Sequence, residues 1–143
     1  MTPETMIPLN LYLNYISRAY EDFIKRKLNN PDIDPAELPF LIGIYHNEGA
    51  SQNEISASFR VTEAYVTKML NKLEKKDLIK REYDPNNKTR KLIYLTNKGH
   101  EKSLEAIEVI KEWELYLTDD LTNEEKEQFK NIFLKITKKA TYL

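Results

Sequence analysis

The polar side chains that could do chemistry in this 143-residue chain are concentrated in one basic segment. Residues 60–102 carry 12 Lys and Arg against 6 Asp and Glu, a net charge of +6, whereas the rest carries 10 against 17, a net charge of −7. A local positive field of this kind attracts phosphate even though the formal charge of the whole chain is −1. The segment therefore predicts a polyanion-binding surface, and a solvated basic helix face is the alternative.

The sequence lacks the side-chain sets that catalysis and metal binding require. With no cysteine and only two histidines, His46 and His100, it excludes disulfides, thiolate metal sites and thiol redox sensing, and it predicts no zinc site. We find no Gly-rich phosphate loop, nucleophile elbow or isolated carboxylate pair. We therefore do not expect an enzyme, and no cofactor or metal is predicted.

Composition predicts a mainly helical fold. The chain has only 3 glycines but 31% charged and 41% hydrophobic residues, which suits charged helix surfaces around an apolar core. No apolar run approaches the ~20 residues needed to cross a bilayer, and the first ten residues, MTPETMIPLN, lack the features of a signal peptide. We therefore expect a cytoplasmic protein.

Apolar spacing and capping residues predict three helices in the first sixty residues. The first runs over 8–28 and carries an apolar stripe at three- and four-residue spacing. A capping box at 34–37 starts a second helix, which Gly49 closes. Another capping box, at 51–54, starts a short third helix that reaches Phe59.

A fourth helix, capped by Thr62, follows a tight turn at Arg60. Its residues Val66, Leu70 and Leu73 face inward, while threonine, lysine and asparagine side chains lie on the other faces. Two short helices separated by a tight turn, with this chemistry on the second, have the size and surface needed to enter a DNA major groove.

A basic hairpin is predicted directly after the fourth helix. Strands 78–83 and 91–95 flank a turn-rich stretch, 84–90. A hairpin placed there can reach the adjacent minor groove or backbone of the same duplex. The alternative is a small helical domain whose hairpin only covers the core. Two long helices with apolar stripes follow, beginning at Thr96 and at the capping box 122–125.

Residues 55–99, ISASFRVTEAYVTKMLNKLEKKDLIKREYDPNNKTRKLIYLTNKG, resemble the winged-helix core of the MarR family of transcription regulators. The most specific parts are the helix VTKMLNKLEKKDLI, the turn beginning Asp84-Pro85 and the closing segment Leu95-Thr96-Asn97-Lys98-Gly99. The resemblance implies a mainly α-helical fold with a small β-hairpin: a winged helix-turn-helix core flanked by long terminal dimerisation helices. It implies a DNA-binding lobe at 31–99 and a helical dimerisation lobe formed by 1–30 and 100–143.

In function, the resemblance implies a ligand-responsive repressor that binds pseudo-palindromic double-stranded DNA as a homodimer. Packing of the terminal apolar stripes within one subunit is the alternative to dimerisation. A winged-helix module that binds another protein without specific DNA binding is the alternative function.

Matching positions to the family implies a set of DNA contacts on two helices and the hairpin. Thr67 and Lys68 are implied to reach base edges, while Lys72 and Lys75 neutralise phosphates. The full implied set is Gln52, Thr62, Glu63, Tyr65, Thr67, Lys68, Lys72, Lys75, Lys88 and Arg90. A solvated surface role is the alternative for each lysine.

The sequence departs from the family pattern at three positions. Arg60 and Asp77 stand where the family commonly has glycine, so a residue with a side chain must accept the backbone geometry of each turn. Thr89 occupies the place of the usual wing arginine. We therefore assign the side chain that inserts into DNA to Arg90, with Lys88 as the second choice.

The resemblance also implies a small-molecule effector. Many members of the family release DNA when a small, often aromatic anion binds between the dimer lobe and the winged helix. The candidates to line such a pocket are Tyr15, Phe40, Tyr45 and His46, and ordinary packing is the alternative for each. The absence of cysteine excludes the thiol-oxidation switch that part of the family uses.

Overall fold

The structure is a computed structural model that describes residues 8–29, 33–59 and 61–141. Six helices and one hairpin follow one another along the chain, which confirms the predicted mainly helical fold. Their bounds are α1 Leu9–Leu28, α2 Leu38–His46, α3 Gln52–Ser58, α4 Glu63–Lys75, β1 Ile79–Asp84, β2 Asn87–Leu95, α5 Asn97–Leu117 and α6 Asn123–Thr141. Within the described ranges, none of these helices has the length and apolar character to span a membrane.

The second helix begins at Leu38, so its predicted start at Asp34 was wrong. The carbonyl of Asp34 accepts the backbone N–H of Glu37 at 2.9 Å, which makes the segment a turn rather than a helix. Pro39 explains the delay, because it lacks the N–H that would bond to the carbonyl four residues earlier. Glu37 also does not close a capping box, since its buried carboxylate accepts a bond from Lys76 Nζ at 2.7 Å.

The hairpin is longer than predicted, because β2 begins at Asn87 and not at Lys91. Only Pro85 and Asn86 form the turn, and Asp84 pairs with Asn87 across it. The Asp84 carboxylate accepts the Asn86 N–H at 2.9 Å, so a short polar side chain closes the turn. The predicted loop 84–90 therefore lies mostly in β2, but the register shifts after the Tyr83–Lys91 pair, so residues 88–90 of the wing have no partner on β1.

One apolar cluster joins α2, α3, α4 and the hairpin. Val66, Leu70 and Leu73 are fully buried in it, as predicted. The cluster consists of Phe40, Leu41, Ile44, Ile55, Val66, Met69, Leu70, Leu73, Leu78, Ile79, Ile93 and Leu95. Because the apolar stripe of α4 is buried in this cluster, the polar face of α4 must lie outward.

A second apolar cluster joins α1 to α5. It contains Ile24, Leu28, Ile33, Leu38 and Ala106. The neighbouring Trp113 ring lies 5.2 Å from Phe23 and 5.8 Å from Tyr20, and burial raises the pKa of the Tyr20 hydroxyl. The first half of the α1 stripe, by contrast, is exposed at Leu9, Tyr12 and Ile16.

The segment between the hairpin and α5 is packed against the end of α4. Thr96 caps α5 by accepting the Gly99 N–H at 3.0 Å, and its hydroxyl donates to the Asp77 carbonyl at 2.6 Å. A Cβ on Gly99 would lie 2.0 Å from the carbonyl oxygen of Leu78. Only glycine therefore lets α5 approach the chain at this point.

Asp77 ends the turn after α4 with a φ of 60°, in the left-handed region. This is the position where the resemblance implied glycine, so aspartate accepts that geometry here. The corresponding expectation for Arg60 lies outside the described residues.

Candidate nucleic-acid interface

Two N-terminal caps fix the helix-turn-helix. Ser51 Oγ accepts the Glu54 N–H while Glu54 Oε2 accepts the Ser51 N–H, both at 3.2 Å, which confirms the predicted capping box. Thr62 Oγ1 accepts the Tyr65 N–H at 3.2 Å and caps α4. Both bonds satisfy backbone donors that a helix start leaves open. Thr62 therefore has a structural role, and its DNA contact stays a prediction.

The outer face of α4 forms a shallow basic groove. Lys68 and Lys75 are exposed and Lys72 is half-buried. None of the three has a carboxylate partner within the described parts of the chain. The groove is lined by Ala64, Thr67, Lys68, Asn71, Lys72, Glu74 and Lys75. These ammonium groups are thus available to an external anion.

Thr67, one of the two predicted base-reading residues, is held by the neighbouring helix. Gln52 Nε2, from the first turn of α3, donates to Thr67 Oγ1 at 2.7 Å. The hydroxyl oxygen accepts this bond and keeps its own hydrogen for another acceptor. The structure thus gives Gln52 a positioning role that the sequence did not indicate.

Asn71 and Arg81 are neighbours that sequence reasoning left out of the site. Arg81 Nη2 on β1 donates to Asn71 Oδ1 at 2.7 Å, and Arg81 Nε lies 3.3 Å from Glu74 Oε2. The sequence did contain one indication of Asn71: it follows Thr67 by four residues, and this spacing places both side chains on one side of α4. The arginine partner lies in another element and no sequence spacing indicates it.

The two wing candidates occupy different surroundings. Arg90 forms a hydrogen-bonded ion pair with Glu54 of α3, and its Nε lies 4.0 Å from Asp84 Oδ2. Lys88 is exposed, with no carboxylate partner among the described residues. Arg90, the first choice for the side chain that inserts into DNA, is thus paired with acidic groups of the protein itself, whereas Lys88, the second choice, lies in solvent.

The remaining predicted DNA contacts lie near the start of α4. Glu63 is exposed in its first turn. Tyr65 is partly exposed, and its ring centroid lies 6.0 Å from that of Phe40. Their position agrees with an interface role but does not test it.

The four candidate effector residues are not brought together. Phe40 is buried in the α2–α4 core, with its ring 4.5 Å from Phe59, whereas Tyr15 is exposed on α1. Tyr45 contacts the ring of His46 at 5.2 Å and lies 6.2 Å from that of His100. Only Tyr45 and His46 therefore form a ring pair among the four, and the effector pocket stays a prediction.

Comparison with known proteins agrees with this architecture. A family model described as MarR family matches residues 33–90. HTH-type transcriptional regulator BilQ of Clostridium symbiosum is 30% identical over 127 residues, which cover 89% of this chain and 88% of that protein.

Solved structures are similar over nearly the full length. A crystal structure of MarR has a TM-score of 0.82 and 28% identity, covering 99% of this chain and 97% of that one. The S. aureus MepR–DNA complex has a TM-score of 0.84 and 28% identity, covering 94% and 99%. Together with the family match, these similarities show that the chain belongs to the MarR family of winged helix-turn-helix transcriptional regulators.

Proposed function

We propose that this protein binds specific double-stranded DNA sequences as a homodimer and acts as a ligand-responsive repressor. The observation that carries the proposal is the outer face of α4, where three lysines surround the polar side chains of Thr67 and Asn71. These lysines have no carboxylate partner among the residues that the structure describes. The similar protein MepR has been solved in complex with DNA, which supports DNA binding by this chain.

The spacing on α4 suits a major groove. Its thirteen residues give a helix about 20 Å long, and a B-DNA major groove about 12 Å wide accepts one helix. Lys68, Lys72 and Lys75 recur at four- and three-residue spacing and share one side, which suits a phosphate strand. We therefore assign Lys68 to phosphate and not to the base edge that the resemblance implied. Thr67 and Asn71 form the adjacent row, which suits base edges.

Dimerisation is supported by the apolar side chains that α6 leaves in solvent. Phe129, Ile132, Phe133 and Ile136 are 40–57% exposed, and no residue in the described part of this helix is buried. The rings of Phe129 and Phe133 stack at 5.3 Å. An apolar stripe of this kind on a long helix is typical of an interface. A second copy of the chain would cover it together with the exposed stripe of α1.

The dimer is tested by light scattering after size-exclusion chromatography. Phe133→Lys places a charge in the stripe and is expected to produce monomers, because a buried unpaired charge is costly. Tyr83→Lys is the matched control, since Tyr83 is 64% exposed on the hairpin, and it is expected to leave the dimer intact. A wild-type chain that runs as a monomer would refute this part of the proposal.

DNA binding is tested by fluorescence anisotropy with duplex from the gene's own upstream region and with scrambled duplex. We expect tight binding to the native duplex that survives scrambled competitor. Lys68→Glu is expected to abolish it, whereas Lys111→Glu, the same charge change on α5, is expected to preserve it. Equal, weak binding to both duplexes would favour the protein-interaction alternative.

Repression and ligand response need separate experiments. Repression predicts that added protein lowers transcription in vitro from a promoter that overlaps its site, and unchanged or increased transcription would contradict it. The ring group formed by Tyr45 and His46 at the end of α2 and by His100 in the first turn of α5 supports an aromatic ligand. Benzoate is the first probe, and it is expected to raise the melting temperature of wild-type protein but not of Tyr45→Ala.

A further inference from the structure

We propose that Asn71 determines sequence specificity by donating through Nδ2 to an acceptor edge in the major groove, and that Arg81 is the positioning residue that fixes its amide. This assignment rests on the proposed function of DNA binding. It adds a base-reading residue, and the edge that it reads, to that proposal.

The orientation of the Asn71 amide follows from the chemistry of its partner. Arg81 Nη2 lies 2.7 Å from the Asn71 side chain, and a guanidinium is a donor with no acceptor. The amide atom on that side must therefore be the oxygen. The nitrogen occupies the opposite corner of the planar group, on an exposed residue that lines the α4 groove. It has no hydrogen-bond partner among the described residues.

Arg81 is itself held in place. Its side chain is only 15% exposed, and Nε lies 3.3 Å from Glu74 Oε2, one turn after Asn71 on the same helix. The arginine thus extends from β1 to two side chains of α4, and its charge is balanced by Glu74. A flip of the Asn71 amide would replace a charge-assisted hydrogen bond by a donor facing a donor. The amide is therefore expected to keep one orientation as DNA approaches.

A fixed NH₂ group selects among base edges. Asparagine commonly reads adenine by accepting from N6 while donating to N7. Here the oxygen is turned towards Arg81, which occupies one of its two lone pairs, so the part of the amide left without a partner among the described residues is the NH₂ group, which is a donor only. Guanine presents two acceptors, N7 and O6, in the major groove. The geometry therefore favours a G·C pair at one position of each half-site.

The test is selection of bound sequences from a randomised duplex library, with wild type, Asn71→Ala, Asn71→Asp and Arg81→Met in parallel. Asn71→Ala is expected to lose the guanine preference at one position per half-site. Affinity for the wild-type site should fall by up to about 5- to 150-fold per half-site, the range for one good bidentate base contact. Asn71→Asp replaces the donor by an acceptor and is expected to shift the preference at that position towards cytosine.

Arg81→Met distinguishes positioning from folding. It is expected to broaden the preference at the same base pair while the rest of the motif and the circular dichroism melting curve stay close to wild type. Asn97→Ala, an exposed asparagine at the start of α5, is the matched control and should leave every position unchanged. A wild-type motif that Asn71→Ala leaves intact would overturn this assignment alone. A wild-type protein that enriches no motif would overturn the proposed function and this assignment with it.

Discussion

The salt dependence of DNA affinity can be derived from the ion pairs of the winged helix. Lys68, Lys72, Lys75 and Lys88 have no carboxylate partner in the described structure, whereas Arg90 is paired with Glu54. Four cations per protomer would place eight on the phosphates in a dimer. With about 0.9 counterions released per phosphate contact, log K is expected to fall with log salt at a slope of about −7. Affinity should then drop roughly 10⁴-fold between 50 and 200 mM salt.

Single substitutions make this prediction sharper. Lys75→Gln removes two contacts from the dimer, so the slope should become about −5. Lys80→Gln is the matched control, because Lys80 is paired with Glu82 on the hairpin at 3.3 Å and should leave the slope unchanged. The measurement is anisotropy on one duplex across a salt series.

The same series decides what Arg90 does. If it stays with Glu54, Arg90→Gln leaves the slope near its wild-type value. If it moves to a phosphate, the wild-type slope is nearer −9 and Arg90→Gln brings it back to about −7. A wild-type slope shallower than about −3, or a Lys75→Gln slope equal to wild type, would refute the assignment of these lysines to phosphates.

Three further outcomes follow from local packing. Gly99→Ala is expected to destabilise the fold by about 3 kcal/mol, because its methyl group would meet a backbone carbonyl, and an unchanged urea midpoint would contradict this. Lys76→Met is expected to lower the free energy of unfolding by about 2 kcal/mol in the same assay. This is less than the loss for breaking a fully buried ion pair, because the Lys76 side chain is 27% exposed. Adding Glu37→Leu should recover most of the lost stability. Hydrogen bonds from Thr122 lower the pKa of Glu125 in the folded protein. The ionised carboxylate therefore stabilises α6 at any pH above the pKa of Glu125 in the unfolded chain, and this contribution is lost as the pH falls through the lower pKa of the folded state. The backbone N–H of Thr122 is the larger cause and its side chain the smaller one. Thr122→Ala keeps that N–H, so it is expected to raise the pKa only part of the way in an NMR titration, and an unmoved value would show that the Thr122 side chain does not contribute.

Local signals made much of the fold predictable from the sequence. The caps at Ser51, Thr62 and Thr122 depend on side chains within three residues of the donors they satisfy, so their pattern is visible in the sequence. The buried face of α4 was likewise visible in its apolar period. The start of α2 was missed because the capping signal at Asp34 competes with Pro39, whose missing N–H lies five residues further on.

Side-chain partners in the candidate site were not predictable in the same way. The ion pair of Glu54 with Arg90 joins residues 36 positions apart, and the bond from Arg81 to Asn71 joins a strand to a helix. Each depends on how the hairpin packs against the helices, which no local spacing encodes. The sequence therefore indicated a basic reading surface but not the bonds that orient its side chains. The DNA contacts of individual residues remain predictions.

The two clamps on α4 have a kinetic consequence. Gln52 holds Thr67, and Arg81 holds Asn71, before any duplex is present. Much of the rotamer entropy of these side chains has therefore been lost during folding and is not lost again on association. A mismatched base then faces a side chain that cannot easily turn to another partner. Discrimination should accordingly appear in how long a complex lasts, with right and wrong sites captured at similar rates.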